Sequence, residues 1–238
     1  VENIPVNSSE YIYRCLTDEI INLNLKPGQS ISENKLCERF SVSRTPIRSV
    51  LQRLGNAGLV TVVPYKGSFV TLLNFDDIQQ VIYMRIAVES AVICDFMDLC
   101  TPIVEEKLRY IIRKQIVLIE DRNFEISHFF ELDSQFHEVW FKATRLENLW
   151  GMIQKSQIDY TRFRMLDIVA VQNFKEIIQE HEALFDLIHR KNADDVESLI
   201  RKHLCGGIHR LSERIHTDFR KYFQPEAHTD NLIIERER

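Results

Sequence analysis

Residues 32–70 read SENKLCERFSVSRTPIRSVLQRLGNAGLVTVVPYKGSFV, and the hydrophobic period changes partway along. The first half spaces its apolar residues helically, with Leu36 and Phe40, then Ile47, Val50, Leu51 and Leu54. From Gly58 onward, two β-branched runs flank PYKG. Apolar residues three or four apart share one helix face, whereas short β-branched runs around a turn make a hairpin. Ser32 and Ser43 stand where helix N-caps are needed, and Pro46 falls in a first turn, where its missing N–H costs little. Working outward, Ile12, Cys15, Leu16, Ile20 and Leu23 mark an earlier helix that KPG at 26–28 stops. Three short helices followed by a hairpin define a winged helix-turn-helix, whose third helix enters the DNA major groove.

The third helix carries suitable chemistry. Thr45, Arg48, Ser49 and Gln52 project away from its apolar stripe, and Arg44 sits at the exposed N-terminal end. Arginine pairs bidentately with guanine O6 and N7, and Ser or Thr hydroxyls bind phosphate or base edges. For an isolated arginine pair, a solvated helix face is the better reading. Here the caps, the turn and the hairpin agree, which decides for DNA contact.

The composition, 45% hydrophobic and 27% charged over 238 residues, allows one large or two smaller domains with a substantial core. No stretch approaches the roughly 20 apolar residues of a membrane span, and the polar start VENIPVNSSE lacks the blocks of a signal peptide. A cytoplasmic protein is expected. Five scattered cysteines, never in a C-x-x-C pair, indicate neither a disulfide framework nor a zinc ribbon. The net charge of −5 hides an uneven distribution, because residues 1–75 hold eight Lys/Arg against six Asp/Glu. A slightly basic module on an acidic body is compatible with DNA contact through one face.

Glycine and proline punctuate the first third, and beyond about residue 75 the pattern is helical. The expected organisation is mainly α, with a winged helix-turn-helix at 1–73, an antiparallel helical bundle at 74–223 and a polar tail at 224–238. The periodicity predicts six bundle helices, at 76–99, 102–121, 126–143, 147–169, 174–190 and 195–222. Thr101 with Pro102 fits an N-cap and N1 pair, and Asp194 with Glu197 fits a capping box.

The bundle keeps charge on its apolar stripes, which is costly unless the charge is paired. His181 lies among Ile177, Ile178, Leu184, Phe185 and Ile188, and His203 among Val196, Leu199, Ile200 and Leu204. Each stands eleven residues from Asn192, so an antiparallel helix hairpin turning there sets them at one level. Asp133 and His137, one helical turn apart among Phe129, Phe136 and Trp140, form a second inward pair. Three imidazoles and one carboxylate are a first-row metal site, with zinc, nickel, manganese or iron compatible. The alternative is a buried hydrogen-bonded ionic cluster. His128, His189 and His209 are read as ordinary structural histidines. Arg85 and Glu89 also interrupt an inward stripe, at a spacing that allows them to pair; Arg85 can instead offer its guanidinium fork to a carboxylate ligand.

Residues 32–70 resemble the DNA-binding domain of the GntR family of bacterial transcription regulators, above all in VSRTPIRSVLQRL and GLV. The resemblance implies that Ser43, Arg44, Thr45 and Arg48 contact DNA, with Lys66 and Gly67 at the wing tip. Asn34 departs from the arginine that many relatives carry on the second helix, and Lys35 beside it is the substitute candidate. The remainder resembles the FCD ligand-binding domain of the FadR-like branch, on DSQFH, QEHEALFDLIHRKNADD and RKHL. That resemblance implies Asp133, His137, His181 and His203 as ligands of a divalent transition metal, zinc foremost. It favours Arg85 as an effector contact, with Arg162 and Arg164 as secondary candidates, and a six-helix count like the shorter subgroup's. The expected function is a homodimeric, ligand-responsive regulator of operator DNA, taking a small carboxylate effector and having no catalytic residues. Two alternatives stay open: a helical metallohydrolase using a metal-bound water, and a regulator that senses the metal itself.

Overall fold

A computed structural model of the chain describes residues 8–121 and 123–225. Its elements run α1 (Ser9–Ile21), β1 (Ser30–Ile31), α2 (Glu33–Phe40), α3 (Arg44–Asn56), β2 (Val60–Val63), β3 (Gly67–Val70), α4 (Phe75–Leu99), α5 (Pro102–Glu120), α6 (Ile126–Ala143), α7 (Glu147–Ser156), α8 (Ile158–Val171), α9 (Phe174–Arg190) and α10 (Val196–His216), then a 3-10 turn at Arg220–Tyr222. The fold is mainly helical, as expected, and its small sheet lies in the winged portion.

The described chain forms two compact units. Among the described residues, the first contains those up to Asp76, Thr161–Leu166 of α8 and 213–225; the second contains 77–160 and 167–212. The apolar stripes of α1, α2 and α3 make the core of the first unit, with Ile12, Leu16, Ile20, Leu36, Phe40, Ile47, Val50, Leu51 and Leu54 all buried. Ser32 caps α2 by accepting from the Lys35 N–H. Ser43 occupies the N-cap position of α3 with extended backbone but makes no side-chain cap bond. β2 and β3 pair antiparallel with Val60 opposite Val70 and Val63 opposite Gly67, closing the expected hairpin. The two-residue β1 adds to the other edge of β3, giving the order β1-β3-β2; it is too short to leave a periodic signal. At the wing tip Tyr65 (φ 62°) and Gly67 (φ 117°) take left-handed backbone, a conformation that glycine adopts without the penalty a Cβ imposes.

The first unit also holds residues distant in sequence. Phe75, Phe163 and Phe223 meet edge to face, with centroids 5.9–6.4 Å apart, and Leu73 bridges to Phe223. Arg162 is fully buried there, donating to the hydroxyl and the carbonyl of Thr71.

In the second unit, helices α4, α5, α6 and α9 fall close to the predicted spans, and two expectations need correction. The predicted helix 147–169 is two helices, broken at Gln157, whose φ of −100° and ψ of 22° close α7 and open α8. No glycine or proline marks the break. Helix α7 buries one face through Trp150 and Ile153, whereas α8 is buried around most of its girth, so packing separates what periodicity joined. The last predicted helix, 195–222, ends at His216, with a 3-10 turn beyond. Its cap lies at Asp195, not Asp194: α10 starts at Val196, and the Asp195 carbonyl accepts from the Leu199 N–H. The Asn192 amide holds the Asp195 carboxylate at 2.8 Å, which carries the turn one residue further. Thr101 and Pro102 start α5 as expected. No described helix is long and apolar enough to cross a membrane. Residues 226–238 of the expected tail lie outside the described residues.

Candidate metal centre and DNA-reading surface

Helix α6 presents Asp133 and His137 on the face that also buries Phe129, Phe136 and Trp140. Helix α9 adds His181 and α10 adds His203, and all four are buried. One ligand atom from each lies within 4.8 Å of every other. His137 Nε2 and His203 Nε2 are 3.1 Å apart, and His181 Nε2 stands 3.4 Å from Asp133 Oδ1. Nitrogen donors about 2.0–2.1 Å from one tetrahedral ion lie about 3.3 Å from each other, so these separations suit ligands of a shared cation.

The surroundings fix each ring. His137 Nδ1 lies 2.5 Å from Glu89 Oε2, His203 Nδ1 2.9 Å from Glu180 Oε2, and His181 Nδ1 2.9 Å from Gln115 Oε1. Each of these oxygens accepts, so each Nδ1 carries the proton and each Nε2 keeps its lone pair. Three lone pairs and a carboxylate therefore face one point. Metal-binding histidines characteristically donate their other N–H to such acceptors, which sets tautomer and orientation. Phe136 stacks on His181 at 4.2 Å and further limits its rotation.

Buried charges surround the cluster. Asp133, Glu89 and Glu180 bring three buried carboxylates to this hydrogen-bonded cluster, and Arg85 brings one guanidinium. Burial holds the His137 and His203 imidazoles below their usual pKa. Glu89, despite its burial, is lowered to about 2 by Arg85 and His137. Glu180 is also buried, and the hydrogen bond from His203 holds it below the usual carboxylate value. The donor set fits a divalent cation.

Arg85 is 2% exposed, 2.6 Å from Glu89 Oε1 through Nε, with Tyr160 and Trp150 5.3 and 5.8 Å from its guanidinium carbon. The expected Arg85–Glu89 pair therefore forms, at the edge of the histidine cluster. Arg162 bonds Thr71 in the first unit, and Arg164 is half-buried in the same unit.

Sequence reading missed the supporting residues Glu180 and Gln115. Gln115 left a usable signal, a polar residue on the inward stripe of Leu108, Ile111 and Ile112. Glu180 is inconspicuous next to His181. His189 and His128 lie outside the cluster, near Glu105 and Glu125 respectively.

In the winged portion, Lys35, Ser43, Arg44, Thr45, Arg48, Lys66 and Gly67 are all exposed. Arg44 donates to Asn34 Oδ1 at 3.1 Å, and Arg48 pairs with Glu33 at 3.1 Å. Tyr65, a residue the sequence did not single out, is fully exposed at the wing tip.

Three helices with a wing, followed in the chain by a helical unit that buries a histidine and carboxylate cluster, define a winged-helix transcription regulator with a separate effector domain. Comparison with known proteins agrees. The family model described as bacterial regulatory proteins, gntR family, matches residues 8–70, and that of the FCD domain matches residues 80–205. The chain belongs to the GntR family and carries an FCD domain, and it is a DNA-binding transcription regulator. It is 28% identical over 202 residues to the HTH-type transcriptional repressor RspR of Escherichia coli K12, covering 84% of this chain and 86% of that one. Identity is 25% over 231 residues to the galactonate operon transcriptional repressor of the same organism, covering 88% and 99%. The fold matches the solved structure of E. coli McbR/YncC with TM-score 0.67 at 16% identity, covering 89% of this chain and 99% of that one. A GntR regulator of Rhodococcus sp. RHA1 gives 0.65 at 20% identity, covering 85% and 97%. These relatives are regulators, which removes the ground for the hydrolase alternative.

Proposed function

We propose that this regulator binds a divalent transition metal, zinc foremost, through Asp133, His137, His181 and His203, and uses it to receive a small carboxylate effector. The observation that carries this reading is the convergence of three imidazole Nε2 atoms whose Nδ1 atoms all face acceptors. When bound, the ion supplies a Lewis-acidic centre able to take carboxylate oxygens. Arg85 supplies a guanidinium beside that centre for the effector's remaining oxygens. Binding energy directed to one conformation of the effector domain shifts the population of DNA-binding states and so changes operator affinity. The galactonate repressor, named for an operon of a sugar acid, is consistent with an acidic effector.

Operator DNA is read by α3, with Ser43, Arg44, Thr45 and Arg48 toward bases and phosphates. Ser43 suits this role because its hydroxyl makes no cap bond to its own helix. Lys66 and Gly67 approach the backbone from the wing, and Lys35 adds a phosphate contact from α2. The protein acts as a homodimer, one wing per half-site of a two-fold operator.

Metal analysis tests the centre. Protein purified without chelator or affinity metal should carry near one ion per chain, and the His181→Ala/His203→Ala variant should carry none. Absence of metal from both proteins after supplementation would reduce the cluster to a buried ionic network. Operator affinity that tracks metal concentration with no organic acid present would favour direct metal sensing instead.

A further inference from the structure

Helices α2 and α3 meet at the DNA-reading surface through two polar pairs. Arg44, the first residue of α3, donates through Nη2 to Asn34 Oδ1, and Arg48, one turn further on, donates through Nε to Glu33 Oε2, both at 3.1 Å. The second pair is the unexpected one. A carboxylate on a surface that meets phosphates repels the polyanion and cancels one of the eight Lys/Arg held by residues 1–75. Stability does not account for it: the side chains are 66% and 33% exposed, and an ion pair so open to water adds little. An acidic residue in a first turn favours the helix, but that effect needs no arginine partner, and Ser32 already caps α2.

The open atoms of the pair supply a reason. With Nε engaged, Arg48 keeps Nη1 and Nη2 as a donor fork, and Glu33 keeps Oε1 as an acceptor; none of the three has a hydrogen-bond partner among the described residues. Across the pair the order is donor, donor, acceptor. In the major groove a G·C base pair presents the guanine N7 and O6 acceptors and then the cytosine N4 donor, whereas an A·T pair presents acceptor, donor, acceptor. The first pattern is complementary to the Arg48–Glu33 pair, and the second opposes it at two of its three positions.

We propose that Glu33 is a specificity-determining residue of operator recognition: with Arg48 it reads one G·C base pair as a unit, Arg48 donating to guanine N7 and O6 and Glu33 accepting from cytosine N4. The inference rests on the assignment of Arg48 to the operator contact above. Glu33 acts on the wrong partners as well as the right one. At an A·T pair its carboxylate meets thymine O4, acceptor against acceptor. On unrelated DNA it neutralises Arg48, so that the guanidinium gains little from phosphate alone.

Random-sequence duplexes enriched on the full-length wild-type protein give the site for the test. Gel-shift titrations over a range of salt concentrations then compare that site, the same site with each G·C pair in turn changed to A·T, and an unselected random duplex. In Glu33→Ala, and in Glu33→Gln, which keeps the length and loses the charge, preference for G·C at one position should fall about fivefold or more. Affinity for the random duplex should rise, and its salt dependence should steepen by about one phosphate contact. In an Arg48→Ala background, Glu33→Ala should change the preference no further, as for two residues that act together. Helical content and melting should stay at wild-type values, because neither side chain belongs to the core. Glu33 variants with wild-type preference and salt dependence, alongside an Arg48→Ala protein that loses affinity and preference, would overturn the role of Glu33 and leave Arg48 at the operator. An Arg48→Ala protein that binds every duplex as the wild type does would overturn the Arg48 assignment and this proposal with it.

Discussion

Replacing Glu180 by alanine tests the metal centre at a residue that is not itself a ligand. Glu180 is 4% exposed, and its Oε2 accepts from His203 Nδ1 at 2.9 Å. Removing it frees the ring to rotate and to move its proton to Nε2, the position the metal needs. It also removes a buried carboxylate beside the cluster. Loss of such a supporting partner characteristically weakens metal affinity 10- to 100-fold. At about 1.4 kcal/mol per factor of ten, that is about 1.4–2.7 kcal/mol. Competition with a chromophoric chelator at fixed pH measures it. Glu180→Gln, which keeps an oxygen acceptor and loses the charge, should fall between wild type and Glu180→Ala. Equal affinity in all three proteins, alongside lost binding in His203→Ala, would refute the argument that Glu180 sets the tautomer of His203.

Stability of the metal-free protein should fall on acidification in two windows. His137 and His203 are held below the ordinary imidazole value, so the unfolded chain takes up protons first as pH drops through about 6.5. Glu89 sits near 2 against an ordinary 4.5, so its contribution is present above about 4.5 and is lost as pH falls toward 2. Urea midpoints from pH 8 to pH 3 should decline through both windows, and a flat profile would contradict the assignment. Arg48→Ala should cost about 1–3 kcal/mol of operator affinity if its contact is bidentate to a base, with reduced discrimination between sequences; unchanged affinity and discrimination in a gel-shift titration would remove Arg48 from the interface.

The sequence by itself determined the winged portion, because local signals decide short helices and hairpins. The cap at Ser32, the start of α3 after Ser43 and the two β-branched runs all survive in the structure, although the Ser43 hydroxyl makes no cap bond. It also carried the histidine cluster, through the equal distances of His181 and His203 from Asn192 and the one-turn spacing of Asp133 and His137. Burial against apolar neighbours is written in periodicity, and a histidine that interrupts it is visible. Tertiary structure alone decided the break at Gln157, where no glycine or proline stands and the difference in burial between α7 and α8 separates the helices. It alone added Thr161–Leu166 and residues 213–225 to the first unit, through aromatic contacts between residues up to 148 positions apart. It also chose Glu180 and Gln115 as supports of the cluster and directed Arg162 to Thr71. Periodicity reports which face of a helix is buried, and a hydrogen bond between helices depends on where their axes bring two side chains, a relation that no local pattern in the chain encodes.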